Sequence, residues 1–251
     1  MAYYNQGILG PFSGKVGPVV GSTWKGRQVM KSRPFPKKKV TASVLQARVQ
    51  QRLTAISNYL RPFGGLISMG MRYVAKAANV TPRNYATKKN MENSMNLSQG
   101  VWSVIPSTVA ISEGQYGAVP SVLLSQVAQG LSVSWTNNGG AVIGMTAGGR
   151  SVTLADTDKV WVALYNVEKK ELTMPTTGFV MRDDGVAVVA KPANWVTGDH
   201  VHAYVFTMAD VVYKYNTAPE TMTDAEISLA KEYIEQGYAF SETVNANIAL
   251  S

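Results

Sequence analysis

Glycine and proline recur so closely through residues 1–40 that a helix of useful length cannot form there. Six glycines and four prolines fall within this stretch, and glycine weakens a helix whereas proline breaks it. We therefore predict an extended segment with a hairpin turn at Lys25 and Gly26. Apolar side chains such as Val19, Trp24 and Val29 recur along it. A glycine-rich segment with spaced large side chains is typical of an arm that lies along another surface.

Between residues 41 and 98 the hydrophobic period becomes helical. Apolar residues recur at intervals of three and four, the spacing of one helix face, at Leu45, Val49, Leu53, Ile56 and Leu60. Arg61 and Pro62 end this helix, and Pro62 is predicted to begin a second one. Thr81 followed by Pro82 predicts a third helix, because the Thr81 side chain can cap free backbone N–H groups.

After about residue 100 the period becomes two, which predicts antiparallel β-strands. The predicted strands cover residues 102–111, 131–136, 159–167, 185–191, 200–208 and 211–216. Six or seven strands over roughly 120 residues suit a two-sheet sandwich of the immunoglobulin or fibronectin type III kind. Trp135 ends an alternating run, and Tyr204 is placed like the corner tyrosine of such sandwiches.

A last helix is predicted where Thr223 and Glu226 form a capping box, and it is expected to stop at Gly237. For residues 238–251 the sequence leaves open a further strand or a tail. Together these patterns predict an α+β fold in four segments. They are an extended glycine-rich basic arm (1–40), a small helical region (41–98), an antiparallel β-sandwich (99–219), and a C-terminal helix with its tail (220–251).

Charge is distributed very unevenly along the chain. Residues 1–90 carry 16 of the 24 Lys and Arg and no acid, whereas residues 91–251 carry the other 8 bases and all 16 acids. A segment of one sign cannot neutralise itself, so it is either solvated or paired with an anionic partner. Because the Debye length is roughly 10 Å at about 0.1 M salt, such a partner must lie in contact.

The cations around the aromatic residues of the arm are the candidate contact residues. The set consists of one aromatic residue and seven cations: Trp24, Lys25, Arg27, Lys31, Arg33, Lys37, Lys38 and Lys39. Such a mixture can touch phosphates and stack on bases, which predicts a nucleic-acid-binding module. It can also dock on the acidic β domain of the next copy, and head-to-tail contacts of that type generate rings or filaments. A merely solvated positive face is the third interpretation.

Candidate metal ligands are few. His200 and His202 would share one side of a strand, with Asp199 adjacent and Asp210 further on. Without a third assured ligand, this pattern fits an ordinary polar strand face better than a metal site. Local hydrogen bonding rather than calcium binding explains the carboxylates near predicted turns, which are Asp156, Asp158, Asp183 and Asp184. We expect no metal, no cofactor and no catalytic residue.

Several other functional classes are excluded or disfavoured by composition. The chain contains no cysteine, which excludes disulfides, thiolate ligands and a Cys nucleophile. The glycine spacing lacks the known phosphate-binding patterns. The start shows no signal-peptide pattern, and no run approaches the roughly 18 apolar residues of a membrane span. We therefore expect a cytoplasmic or virion-associated protein without a membrane partner.

Residues 7–34 resemble the opening of an uncharacterised family from Bacteroidota and their associated phages and mobile elements. The resemblance is carried by Gly14, Gly17, Val19, Gly21, Trp24, Lys25, Gly26 and Pro34. Members of that family join such an arm to helices and a fibronectin-like domain, so the resemblance implies the same domain plan here. It implies no reaction and no catalytic residue.

The sequence therefore predicts a non-enzymatic structural protein that assembles. The basic arm is expected to dock on acidic neighbouring subunits in a virion component or a filament. Its partners would be other copies of the chain or other assembly proteins. Binding of DNA or RNA through the arm is the first alternative. A glycan-acting or glycan-binding β domain, which would use paired carboxylates, is the other.

Overall fold

A computed structural model describes residues 2–4, 13–24, 26–34 and 41–250. It is a mixed α+β structure with 31% helix, 32% strand and antiparallel sheets, which confirms the predicted class. The chain divides into two compact units, residues 1–43 and residues 44–251. Each unit is described by itself below.

The N-terminal unit contains a four-stranded antiparallel sheet. Its strands are β1 (Ala2–Tyr4), β2 (Gly14–Val16), β3 (Val19–Trp24) and β4 (Arg27–Ser32). They lie in the order β1-β4-β3-β2. Trp24 pairs with Arg27, so β3 and β4 form the predicted hairpin. Gly26 adopts φ +75° between these strands, a left-handed conformation that glycine tolerates best.

Four helices open the second unit. They are α1 (Val44–Leu60), α2 (Gly64–Gly70), α3 (Arg72–Ala77) and α4 (Pro82–Asn93). Thr81 caps α4 and its side chain accepts a hydrogen bond from the Asn84 N–H, as predicted. The second predicted helix begins at Gly64 rather than Pro62, and it is interrupted at Met71.

Twelve strands and two further helices follow within the described residues. In chain order they are β5 (Met95–Ser98), β6 (Val101–Val104), β7 (Leu123–Val127), β8 (Gly130–Ser134), β9 (Val142–Met145), β10 (Ser151–Thr153), β11 (Lys159–Asn166), β12 (Glu171–Thr173), β13 (Val180–Met181), β14 (Val186–Val189), β15 (His200–Met208), α5 (Asp210–Thr217), α6 (Asp224–Glu235) and β16 (Val244–Ala249). The capping box between Thr223 and Glu226 at the start of α6 is confirmed.

A five-stranded sheet lies at the centre of this unit. It runs β12-β11-β15-β16, with β13 also paired to β11. A second sheet, β14-β8-β7, has three strands, while β5-β6 and β9-β10 form two-stranded pairs. The tail that the sequence left undecided is therefore partly a strand, since β16 pairs with β15 from Val205 to His200.

The central sheet is buried on both of its faces. Tyr165, Tyr204 and Phe206 share one core cluster with Leu60 of α1 and with Phe63, which directly precedes α2. The alternate residues of β11 and β15 share another cluster with the inner side chains of the three-stranded sheet, which include Leu131, Val133, Ala187 and Val189. Because strand side chains alternate between faces, the same two strands support helices on one side and a sheet on the other.

Three predictions about this region are wrong. Residues 211–216 are not a strand but most of α5, in which Lys214 bonds the first-turn carboxylate of Asp210 at 2.8 Å. The strand predicted over 102–111 ends at Val104 and is followed by a 3-10 turn. Tyr204 is not a corner tyrosine, because its hydroxyl donates to the Pro106 carbonyl, which is 98 residues away along the chain.

Candidate functional site

The register of the N-terminal sheet gathers several of the predicted contact residues on one face. Trp24 lies opposite Arg27, and Val20 lies opposite Lys31 on β4 and opposite Lys15 on β2. Paired residues share a face, and so do residues two apart on one strand. Lys15, Trp24, Arg27 and Lys31 therefore share one side of the sheet, which we call the basic face.

The cations and the tryptophan of the basic face are exposed to solvent, whereas Val29 between Arg27 and Lys31 is buried. Lys15, Arg27 and Lys31 are exposed, and Trp24 retains 46% of its accessible surface. None of the ion pairs formed among the described residues involves these three cations. Residues 1–43 contain no Asp or Glu, so this unit offers them no carboxylate side chain.

Arg33 extends the same edge of positive charge. It is exposed and follows β4 directly, and its backbone N–H donates to the Pro18 carbonyl at 2.7 Å. That bond continues the pairing of β3 with β4 by one more residue. Arg33 is therefore held beside the basic face by the backbone of the hairpin.

The structure describes part of the predicted set. Trp24, Arg27 and Lys31 come together, whereas Lys25, Lys37, Lys38 and Lys39 lie outside the described residues. Sequence reasoning did not nominate Lys15. Gly17 and Pro18 could have indicated it, because the tight turn there pairs Val16 with Val19 and so folds β2 back onto β3.

The boundary between the two units changes the charge balance. Residues 1–43 carry 8 bases and no acid, and residues 44–251 carry 16 bases and all 16 acids. The basic residues of α1 to α4 therefore belong to a unit that is neutral as a whole, and Lys89 bonds Glu113 at 3.0 Å within it. The net charge of the chain thus resides in the N-terminal unit.

The two histidines do not form a metal site with the nearby carboxylates. His200 is exposed, and its Nδ1 lies 2.8 Å from Glu168 Oε1, while His202 is buried on the same strand. Asp199 accepts hydrogen bonds from Asn166 and the Val196 N–H. No group of three or more potential ligands that could hold a metal occurs within residues 2–4, 13–24, 26–34 and 41–250.

Asp158 belongs to a buried ion pair that sequence reasoning missed. Arg182 is fully buried and donates through Nε to Asp158 Oδ2 at 3.1 Å and through Nη2 to the Gly117 carbonyl at 2.8 Å. Its Nη1 donates to Asn138 Oδ1. The Tyr116 hydroxyl donates to Asp158 Oδ2 at 2.6 Å. Burial and the adjacent Asp158 raise the pKa of Tyr116, so this phenol stays neutral.

This ion pair borders a cleft of about 350 Å³, which Asp158, Asp210 and Lys214 help to line. Asp210 bonds both Lys159 at 3.2 Å and Lys214 at 2.8 Å. Although partial burial opposes the effect, these lysines lower the pKa of Asp210. Asp158 and Asp210 thus each have a cation, and Glu226 of the same cleft accepts from Thr223, which is the arrangement of a structural network rather than of a free acid and base.

The other turn carboxylates are engaged locally. Asp156 accepts from the Asn137 amide at 2.9 Å, and Asp184 accepts from the Met181 N–H at 2.8 Å. The Asp183 N–H donates to the Asp156 carbonyl. These bonds fit the interpretation that turn residues are Asp for local hydrogen bonding. Among the described helices, none is long and apolar enough to cross a membrane.

Comparison with known proteins gives one result. No curated protein and no solved structure matches the chain. The model of one protein family covers residues 11–218, which include the basic face and most of the second unit. The chain therefore belongs to DUF6266, a family of unknown function.

Proposed function

We propose that this chain is a non-enzymatic nucleic-acid-binding protein that uses the basic face of its N-terminal sheet. The observation that carries the proposal is the cross-strand pair of Trp24 and Arg27, flanked by Lys15 and Lys31 on one exposed face. Cations that track a phosphate backbone beside an aromatic ring on which bases stack are the usual elements of single-strand binding.

The charge balance favours a separate polyanion, rather than residues 44–251 of the same or another copy, as the partner of the basic face. Residues 44–251 are neutral as a whole, so they exert little long-range attraction on a positive unit. A nucleic acid carries one negative charge per nucleotide and releases counterions when cations replace them. If Lys15, Arg27, Lys31 and Arg33 each meet one phosphate, log affinity for a single strand falls with log salt at a slope of roughly −3.

Fluorescence anisotropy with labelled single-stranded DNA and RNA of increasing length tests this proposal. The double variant Arg27→Gln, Lys31→Gln is expected to weaken binding and to reduce the salt slope by roughly 1.4, or about 0.7 for each lost phosphate contact. Trp24→Ala is expected to weaken binding about tenfold at every salt concentration and to leave the slope unchanged, because stacking releases no counterion.

The matched control is Lys76→Gln with Lys231→Gln, which removes the same charge from exposed positions of the second unit. Equal loss of affinity in the two double variants would show that only net charge matters, and the basic face would then not be the binding site. The same conclusion would follow if Trp24→Ala bound like the wild type.

Assembly through the basic face is the second candidate function. It is favoured by an exposed acidic group at the start of α6, comprising Glu220, Asp224 and Glu226, on which the basic face of a neighbouring copy could dock. In that case the chain is a structural component of a virion or a filament. Light scattering of nuclease-treated protein separates the candidates: salt-sensitive oligomers without nucleic acid favour assembly, whereas monomers that bind oligonucleotides favour the first proposal.

We further propose that the five-stranded and the three-stranded sheets of the second unit form a fibronectin-like sandwich that serves as a rigid body for either function. Their shared core, which includes Val133 and Ala187 from one sheet and Val162 and Val205 from the other, supports this interpretation. The helices packed on the opposite face of the central sheet would then be an addition to the two-layer plan.

A further inference from the structure

The apolar stripe of α1 continues beyond the core that it enters. Ile56 and Leu60 are fully buried, whereas Leu53, Val49 and Leu45 retain 47%, 62% and 72% exposure. Residues three and four apart lie on the same face of a helix, so all five side chains form one row. Every residue from 44 to 51 is exposed. We call residues 44–53, which carry the exposed part of the row, the overhang.

The overhang is short and contains two cations, Arg48 and Arg52. An isolated helix of about ten residues is marginal in water, so its formation benefits from a partner. Arg52 already donates to the Met91 carbonyl and lies 4.6 Å from the centre of the Trp102 ring. The neighbouring polar residues are mostly glutamines, and the overhang contains no acid.

A second exposed apolar surface lies on the outer face of the three-stranded sheet. Strands β7, β8 and β14 contain no charged residue. Leu123 and Val127 form one ridge and Val186 and Val188 the other, with exposures of 66%, 38%, 42% and 49%. Between the ridges lie Ser132 and Ser134 of β8, which pair with β7 on one side and with β14 on the other. We call this surface the serine groove.

The two surfaces are complementary in shape. The ridges stand two strand spacings apart, roughly 9–10 Å, which leaves room for one row of aliphatic side chains over the small serines. Leu45, Val49 and Leu53 present a single row of that kind. The strands of the groove carry no charge, and the two arginines of the overhang can lay their aliphatic stems along an apolar surface while their charged ends stay in water. Exposed apolar patches of this kind mark interaction sites.

We propose that the overhang of one copy inserts Leu45, Val49 and Leu53 into the serine groove of a second copy of the chain. The contact joins two different surfaces, so each copy offers one of each, and repetition produces a ring or a filament. The inference is independent of nucleic-acid binding, and its salt dependence has the opposite sign. Each copy carries a net charge of +8, so screening by salt strengthens the self-association while it weakens binding to a polyanion.

The experiment uses the full chain, treated with nuclease, at about 0.5 M salt, where charges are screened within a few ångströms. Sedimentation velocity over a concentration series measures the oligomer. The overhang variant is Leu45→Gln with Val49→Gln, and the groove variant is Leu123→Lys with Val188→Lys. The control, Val142→Gln with Met145→Gln, changes side chains that are 64% and 66% exposed on β9, outside both surfaces.

The wild type and the control are expected to form oligomers that grow with concentration. Each of the two surface variants should associate at least tenfold more weakly and remain monomeric. An equal mixture of the two variants should form a one-to-one complex, in which the intact overhang of the groove variant occupies the intact groove of the overhang variant. This complex should grow no further, because the two surfaces left free in it are the mutated ones.

Three outcomes would overturn the proposal. The first is a wild type that stays monomeric at its highest soluble concentration. The second is a pair of surface variants that assemble like the wild type. The third is a mixture that forms no complex although each variant alone has lost assembly. If the groove variant does not fold, as judged by circular dichroism, Leu123→Gln alone replaces it, because that side chain is 66% exposed.

Discussion

Replacing the buried Arg182 by methionine should be among the most destabilising single changes in the second unit. Its guanidinium makes three hydrogen bonds, to Asp158, Asn138 and Gly117, and its side chain has no exposure to solvent. Methionine fills a similar volume but donates nothing. The Arg182→Met protein therefore retains Asp158 as a buried carboxylate without its cation.

The size of the stability loss follows from the hydrogen bonds that the partners of Arg182 retain in the variant. Gly117 still accepts from the Thr207 hydroxyl, and Asp158 still accepts from Tyr116 and from the Ala155 N–H. The unpaired charge therefore dominates the loss, and removing one member of a buried ion pair costs about 3–5 kcal/mol. For a chain of this size, such a loss lowers the melting temperature by roughly 6–20 °C.

The loss should also depend on pH. Burial raises the pKa of Asp158 above its usual value, and hydrogen bonds and Arg182 oppose that shift. Without Arg182 the pKa rises further, so the folded variant favours the neutral acid. Its stability deficit is then complete above the raised pKa of Asp158 and shrinks as pH falls through that value. Urea unfolding at a series of pH values measures both effects.

Arg150→Met is the matched control, since Arg150 lies 3.9 Å from Glu232 and its side chain is 49% exposed. Exposed pairs contribute about 0–1 kcal/mol, so this variant should melt close to the wild type. A loss below about 1 kcal/mol in Arg182→Met would refute the reasoning, because it would mean that the interior solvates an isolated carboxylate as well as water does.

Three further predictions concern local features. Thr223→Ala removes the cap of α6 and should cost about 1 kcal/mol in urea unfolding; no change would contradict a capping role. Although slight burial opposes the effect, hydrogen bonds from His200 lower the pKa of Glu168 in the folded protein. The pair therefore stabilises the fold above the unfolded pKa of Glu168, and this stabilisation is lost as pH falls through the folded pKa. His200→Gln should flatten that part of the melting profile, and an unchanged profile would count against the pairing. Gly130→Ala places a Cβ 2.3 Å from a backbone oxygen and should lower the free energy of unfolding by about 2–4 kcal/mol. The control is Gly140→Ala, which has φ +78° and no atom within 4 Å of the new Cβ, and it should lower that free energy by about 1 kcal/mol. Equal melting temperatures of the two variants would refute the steric argument.

Local chemistry made the starts of two helices, α4 and α6, predictable. Thr81 and Thr223 cap their helices as expected because capping depends on residues only three positions away. The segment at 211–216 was mispredicted because Val and Tyr favour strands in isolation. The tertiary structure overrides that preference, since the Asp210 N–H donates to Asp158 and Val212 is buried. The Asp210 and Lys214 spacing was the available helical signal.

Other features could not be inferred from sequence because they join distant residues. Asp158 and Arg182 are 24 positions apart, and no spacing rule links them. The spacing of apolar residues correctly predicts one face of α1, yet this periodicity does not show how far the hydrophobic core extends along the helix. For the candidate site, the sequence indicated Trp24, Arg27 and Lys31. Lys15 emerged only from the register of β2 with β3.

The order of strands in the central sheet has a consequence for how the protein is made. Strand β15 is paired on one side with β11 and on the other with β16, which follows β15 after 35 intervening residues. A growing polypeptide on the ribosome cannot complete this sheet until β16 emerges. The hydrogen-bonding edge of β15 therefore stays open while the 35 residues between the two strands are made, a period in which chaperones would protect the nascent chain from aggregation.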